Sequence, residues 1–457
     1  MSAAATRPRV GDATVRKIKF RILPLLVILY IIAFIDRANV GFVAKEMNAD
    51  LGITTAQFGL AAGLFSIGYF LFEVPSNILM RKVGARRWIA RILVSWGIVA
   101  IASGFVQDFT QLAIARTLLG IAEAGFFPCV ILYLSFWFPE RERARVVALF
   151  MVALPLATVI AAPLSGLILD NVQWLGMDSW RWVFILEGGP ALILAVVTLF
   201  VLVDSPAKAK WLTAEEKTWL ETTLQAEQAA KIERHGKVSF WRSLAGGRVL
   251  ALSLIYYSKS VAVYVLAFFT PQIIAAASSQ LSNTAVGYIN AVPYGIAAIV
   301  MVYWARHSDK KRERRWHVGI PLIAAGVGLA LMPFAVNNLM LSIVLLTVIT
   351  VAVYATYGPF WSLPSLFLTG QSAAVGLAAI NSVANLGGFV GPFAFGALKD
   401  STGNNNWGLA LVSGTCLIAA AMVVGLKFVR QAEATARFAE EKADAEAELI
   451  TAGDNSK

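Results

Sequence analysis

Charge is scarce in this sequence. Of its 457 residues 15% are Asp, Glu, Lys or Arg and 58% are apolar, whereas soluble domains carry about 25% charged residues, so a water-soluble enzyme is excluded. Cysteine is nearly absent: Cys129 and Cys416 both lie in apolar runs, which leaves no disulfide framework and no thiolate metal site. The three histidines, His235, His307 and His317, fall in polar connections without Cys or carboxylate at ligand spacing, and neither a metal nor a cofactor is expected. No GxxxxGK[ST] loop occurs and no polar stretch is large enough for a nucleotide-binding domain, which excludes a primary pump. A small-residue cleavage pattern is also missing after the basic start, and the apolar run from Ile22 reaches full span length, so it reads as a retained first helix.

What the sequence has is long apolar runs. A membrane-crossing helix needs about 20 such residues, and about twelve stretches qualify. They are predicted near 22–45, 56–80, 88–106, 110–134, 146–170, 182–203, 249–274, 285–305, 318–336, 339–358, 373–398 and 407–429. The fold class is therefore an all-α integral membrane protein. The net charge of +11 does not mark a nucleic-acid partner, because the 39 Lys and Arg residues cluster at alternate helix ends, before 22 and in 81–87, 139–145, 204–248, 306–315 and after 426. By the positive-inside rule both termini are cytoplasmic. RKVGARRW at 81–88 and DKKRERRW at 309–316 agree at four of eight positions, 228 residues apart and each between the second and third spans of its half. That pattern predicts two six-helix parallel repeats, with substrate bound between them near the midplane. The expected organisation is a cytoplasmic tail (1–21), a six-helix bundle (22–203), a cytoplasmic loop (204–248), a second bundle (249–430) and a cytoplasmic tail (431–457). Within the loop, Thr213 and Glu216 have capping-box spacing ahead of a charged stretch, which predicts a surface helix.

An ionised group at the centre of a membrane helix costs about 2.5–3.5 kcal/mol, so each demands a partner or a hydrated cavity. Asp36, Glu73, Glu123 and Glu187 face Arg37, Arg91, Arg116 and Lys259 in number, a neutral interior that becomes cationic when two acids take protons. That is the electrostatic requirement of proton and anion symport. Arg116, Gly120 and Glu123 share one helix face, with Gly120 admitting a neighbouring backbone. Asp36 and Arg37 point about 100° apart; the simplest arrangement pairs Asp36 with Arg116 and leaves Arg37 for a substrate carboxylate. Glu73 and Arg91 are expected to pair near the cytoplasmic ends of their spans, and Glu187 to serve a salt bridge beside Trp180, Arg181 and Trp182. The second half offers Tyr256, Tyr264, Tyr288, Tyr294, Trp361, Asn381 and Asn385 for reading a substrate, with Asn381 and Asn385 on one face. Tyr69 belongs to an aromatic stripe on the second span.

IDRANVGFV at 35–43, PSNILMRKVGARRW at 75–88, RTLLGIAEAGFFP at 116–128, WFPERERAR at 137–145, WRWVFILEG at 180–188 and GPFWSLP at 358–364 resemble the major facilitator superfamily and, within it, the anion:cation symporters. The resemblance implies proton-coupled uptake of a small carboxylate such as a hydroxy or sugar acid, a dicarboxylate or an aromatic acid, by a monomer in the inner membrane. It implies Asp36 and Glu123 as proton carriers, Arg37 as the substrate anchor, Arg116 as partner of the coupling acids, and Tyr69, Trp361 and Asn385 as pocket lining. Lys259 is a candidate second anchor. Where the superfamily has a Gly and an Asp after the second span, this sequence has Asn77 and Arg81, while the second copy keeps Asp309; gating is assigned to Asp309, Arg86 and Arg87. A proton-driven exporter of drugs or organic anions is the alternative.

Overall fold

The computed structural model describes residues 7–151, 153–232, 246–278, 280–335, 338–364, 370–427 and 429–431. The expected tail at 431–457 and His235 lie outside them, save Gln431. Among the described residues the regular structure is helical throughout. Eleven helices among the described residues are long and apolar enough to cross a membrane. The third predicted span misses that criterion by charge and not by length, because Ala85–Ser103 is a 19-residue helix carrying Arg86, Arg87 and Arg91. With it a helix stands, among the described residues, at each of the twelve predicted spans. Three passes are interrupted close to candidate site residues: the fourth breaks between Glu123 and Phe126, the tenth between Ala355 and Tyr357, and the eleventh between Asn385 and Gly387.

The first helix, Arg7–Leu51, is 45 residues long, about 68 Å at 1.5 Å per residue and about twice the hydrocarbon thickness. Residues 7–21, expected as a tail, are therefore its opening turns. The predicted surface helix is Ala214–Ile232. Its capping box is formed, with Glu216 N–H donating to Thr213 Oγ1 at 3.2 Å and Thr213 N–H to Glu216 Oε2 at 2.8 Å. It docks on the projecting turns of the first helix through Lys17 and Glu216, 2.9 Å apart, and through Trp219, which fills the space beside Gly11.

The two halves close on each other at the face opposite the termini, here called distal. The second helix (Thr55–Val83) packs on the eleventh and the fifth (ending at Asn171) on the eighth (Asn283–Lys311). A Cβ on Gly59 would overlap the Pro392 carbonyl, and one on Gly287 the Ala162 carbonyl; reciprocally, Gly396 lies on the Thr55 carbonyl and Gly166 on the Asn283 carbonyl. Only glycine admits backbones this close. At each seam an aspartate of one half receives the first free N–H groups of a helix in the other. Asp400 accepts from Thr55 at 3.1 Å and Ala56 at 2.7 Å, and Asp170 from Asn283 at 3.1 Å and Thr284 at 2.7 Å. Those donors have no partner inside their own helix, and the helix dipole favours an anion there. The paired contacts recur 228 or 230 positions apart, as the internal repeat requires.

Because overpacking costs about 1–3 kcal/mol, a shift of about five- to 150-fold in a two-state equilibrium, Gly287→Val is expected to hold the distal seam open. Labelling of Ser66→Cys, a buried seam position, by a membrane-impermeant maleimide should then accelerate by at least about fivefold; an unchanged rate would show that these contacts do not set closure.

Candidate functional site

The fourth helix runs from Phe109 and ends at Glu123. Ala124 is extended and Gly125 adopts φ +81°, where a Cβ would lie 2.5 Å from Ser76 Oγ, before helix resumes at Phe126. Irregular backbone at membrane depth survives only where protein covers it, and such breaks are where transporters hold ions and substrates. Gly120 lies against the Phe65 carbonyl as its spacing predicts. This brings Arg116 and Glu123, both fully buried, to the first and second helices.

The charge pairing differs from the simplest sequence expectation. Arg37 is not free: its Nη2 lies 2.6 Å and its Nε 2.8 Å from Glu123 Oε1, leaving Glu123 Oε2 without a partner. Asp36 does not pair with Arg116. It is fully buried and accepts from Trp96 Nε1 at 2.7 Å and Asn39 Nδ2 at 3.4 Å. Arg116 makes no hydrogen bond with any of its three side-chain nitrogens, and its guanidinium lies 5.3 Å from the centre of the Phe65 ring. Arg37 lies 5.2 Å from the same ring and 5.0 Å from that of Tyr69. Adjacent helical residues diverge as expected, but helix rotation decides which neighbour each meets, and that is not written in the i, i+7 spacing.

From the second half, Lys259 is buried without an acid. Its ammonium rests on the rings of Tyr357, 2.8 Å from the centroid, and Tyr256, 4.5 Å away, as a cation–π contact. Trp361 meets Tyr256 edge-on at 4.9 Å. Asn381 and Asn385 turn their side-chain amides to Glu73. Glu73 was expected beside Arg91, but the two part: Arg91 is exposed over Trp88, 4.2 Å from the ring, while Glu73 points into the interface. Of the eight candidate charges, four carboxylates and three cations consequently stay in the interior. Glu187 also lacks the expected salt bridge; it accepts from Ser165 Oγ at 2.7 Å, and it is Arg181 that pairs outward, with Asp50 at 2.9 Å.

The gating candidates are spread out. Asp309 pairs with Arg314 of its own connection at 2.6 Å; the Arg86 backbone N–H donates to Asp204 Oδ1 at 2.9 Å; Arg87 is exposed. Asn77, standing where the superfamily has glycine, donates to the Glu73 carbonyl at 2.8 Å. A carboxylate does reach a histidine, since Glu313 Oε2 lies 2.6 Å from His317 Nδ1, and His317 Nε2 lies 2.8 Å from His307 Nδ1. No group of three such side chains able to hold a metal occurs among the described residues.

Residues 26–392 match the family model described as Major Facilitator Superfamily. An Agrobacterium vitis protein named "Putative tartrate transporter" is 50% identical over 409 residues, 90% of each chain. The "Quinolone resistance transporter" of Acinetobacter baumannii is 40% identical over 399 residues, 87% of this chain and 91% of that one. The solved structure of a D-xylose-proton symporter superposes with a TM-score of 0.72 at 16% identity, over 90% of this chain and 97% of that one, a likeness of fold alone.

A buried charge without a counter-ion destabilises, and apolar replacement of buried ionic groups often stabilises by about 1–4 kcal/mol. Lys259→Met should therefore melt several degrees higher than the unaltered protein in detergent without added anion; a lower melting temperature would mean that the lysine is held by more than the two rings.

Proposed function

The chain belongs to the major facilitator superfamily, and from that premise we propose that this multi-pass membrane transporter takes up a small organic anion together with protons by alternating access. The observation that carries the reading is a pair of buried cations, one from each half, that no carboxylate satisfies: Arg116, with all three side-chain nitrogens unbonded, and Lys259. A buried charge without a partner is costly unless a ligand supplies the partner. Two such cations on opposite halves suit an anion with two acidic groups, and the name of the Agrobacterium relative points the same way.

Coupling follows from the acids. With both termini cytoplasmic in the inner membrane, the distal face is the outer one, and a proton arriving from outside on Glu123 Oε2 weakens the bond to Arg37. Arg37 then joins Arg116 as a bidentate anchor for a carboxylate. Asp36, held by two neutral donors, is the second proton carrier, and Tyr69, Trp361, Asn381 and Asn385 line the substrate. Release to the cytoplasm follows when Glu123 deprotonates and recaptures Arg37. Asp309, Arg86 and Arg87 act in closing the cytoplasmic side, where Asp309 exchanges Arg314 for a partner across the gate. The transporter works as a monomer. A second reading, proton-driven export, is favoured by the relative named for quinolone resistance.

Purified protein in liposomes decides between them. Uptake predicts accumulation of labelled tartrate, sugar acid or phthalate under an inward proton gradient and its loss with an uncoupler; export predicts that the same inward gradient expels preloaded cargo. Asp36→Asn and Glu123→Gln should abolish gradient-driven accumulation while exchange of substrate across the membrane persists, and Arg116→Gln should raise KM by about tenfold or more through loss of a charge-assisted bond. Full accumulation by both acid variants would refute the coupling scheme.

A further inference from the structure

Glu73 is a carboxylate for which the coupling scheme has no use. It is buried in the second helix, makes no ion pair within 4 Å, and divides its two oxygens between two amides of the other half: Asn381 Nδ2 donates to Oε1 at 3.5 Å and Asn385 Nδ2 to Oε2 at 3.4 Å. The two asparagines stand one helical turn apart, so their amides lie side by side and together span one carboxylate. Bonds of that length are weak, well beyond the 2.7–2.9 Å that a charge-assisted contact reaches when nothing opposes it. The pair sits beside the helix break at Leu386 and next to the closed seam, where Gly388 packs on Ser66. The charged and titratable groups that face it are Arg37 from the first helix, Tyr69 from its own, Cys129 from the fourth pass beyond its break and Tyr264 from the seventh.

Resting on the reading of Arg116 and Lys259 as an anion site, we propose that Glu73 is a built-in stand-in for the substrate's carboxylate: in the empty transporter it occupies the Asn381 and Asn385 amides, and the entering anion displaces it. The displaced carboxylate remains beside the substrate and accepts hydrogen bonds only. It therefore repels a bare dicarboxylate and favours one that brings hydroxyl donors, which makes Glu73 a specificity-determining residue for hydroxy acids.

The test is isothermal titration calorimetry in detergent with tartrate and with succinate, which has the same carbon skeleton without hydroxyls. Glu73→Gln should bind succinate about tenfold more tightly, as expected when one competing charged contact is removed, and gain less for tartrate, so that the preference for the hydroxy acid shrinks. In an Asn385→Ala background that gain should vanish, because there is no complete amide pair left to release. An unchanged preference, or a gain that persists without Asn385, overturns the proposal, since loss of a negative charge alone would then explain it. Arg116→Gln reports separately on the anion site: if it binds both acids normally, the site reading fails whatever Glu73 does. If neither acid binds any form, melting temperatures decide. Glu73→Gln and Asn385→Ala must then destabilise non-additively, and additive losses overturn the proposal.

Discussion

A charge buried in a hydrocarbon slab must find a partner, and the whole centre of this protein is organised by that requirement. Four carboxylates and three cations are held in the interior, yet Arg37 and Glu123 form the one close ion pair among the seven. Asp36, Glu73 and Glu187 rest on neutral donors instead: an indole, amides and a hydroxyl. Neutral donors suit groups that change charge, because they satisfy an ionised carboxylate without fixing it in that state. Arg116 and Lys259 rest on aromatic faces, which lower the cost of burial without consuming the charge.

Much of this was legible in the sequence. Apolar run length located the passes, the two basic octets announced the repeat, the capping box foretold the surface helix, and Gly120 sits against a neighbouring backbone as its place between Arg116 and Glu123 requires. The pairing was not legible. Periodicity tells which face of a helix a residue occupies, while the rotation of that helix against its neighbours is a packing result involving many residues. Asp36 and Arg116 were the obvious couple by sign, yet Trp96, an apolar-looking residue in a third helix, takes the aspartate. The depth of Glu73 along the second helix suggests easy escape toward water, whereas its partners Asn381 and Asn385 lie 308 and 312 positions away. Lys259 was visible as a buried cation, but the tyrosine shelf beneath it depends on the short helix after the break at Thr356.

Symmetry and asymmetry are divided by depth. The distal seam repeats in both halves down to matching bond lengths, while the centre does not: acids and guanidiniums gather in the first half, amides, aromatics and one ammonium in the second. The same twofold frame thus supplies a closure that treats both halves alike and a site that does not.

The distal seam carries a consequence of its own. Each half offers an aspartate and a glycine pair and receives a helix start, so the contact is isologous in the sense used for a twofold dimer. It has the form of a subunit interface retained after two equal partners became one polypeptide. Such an interface contains its own control: a change at Asp170 has its counterpart at Asp400, and any difference between the two measures how far the unequal interior has biased a gate that was built even-handed.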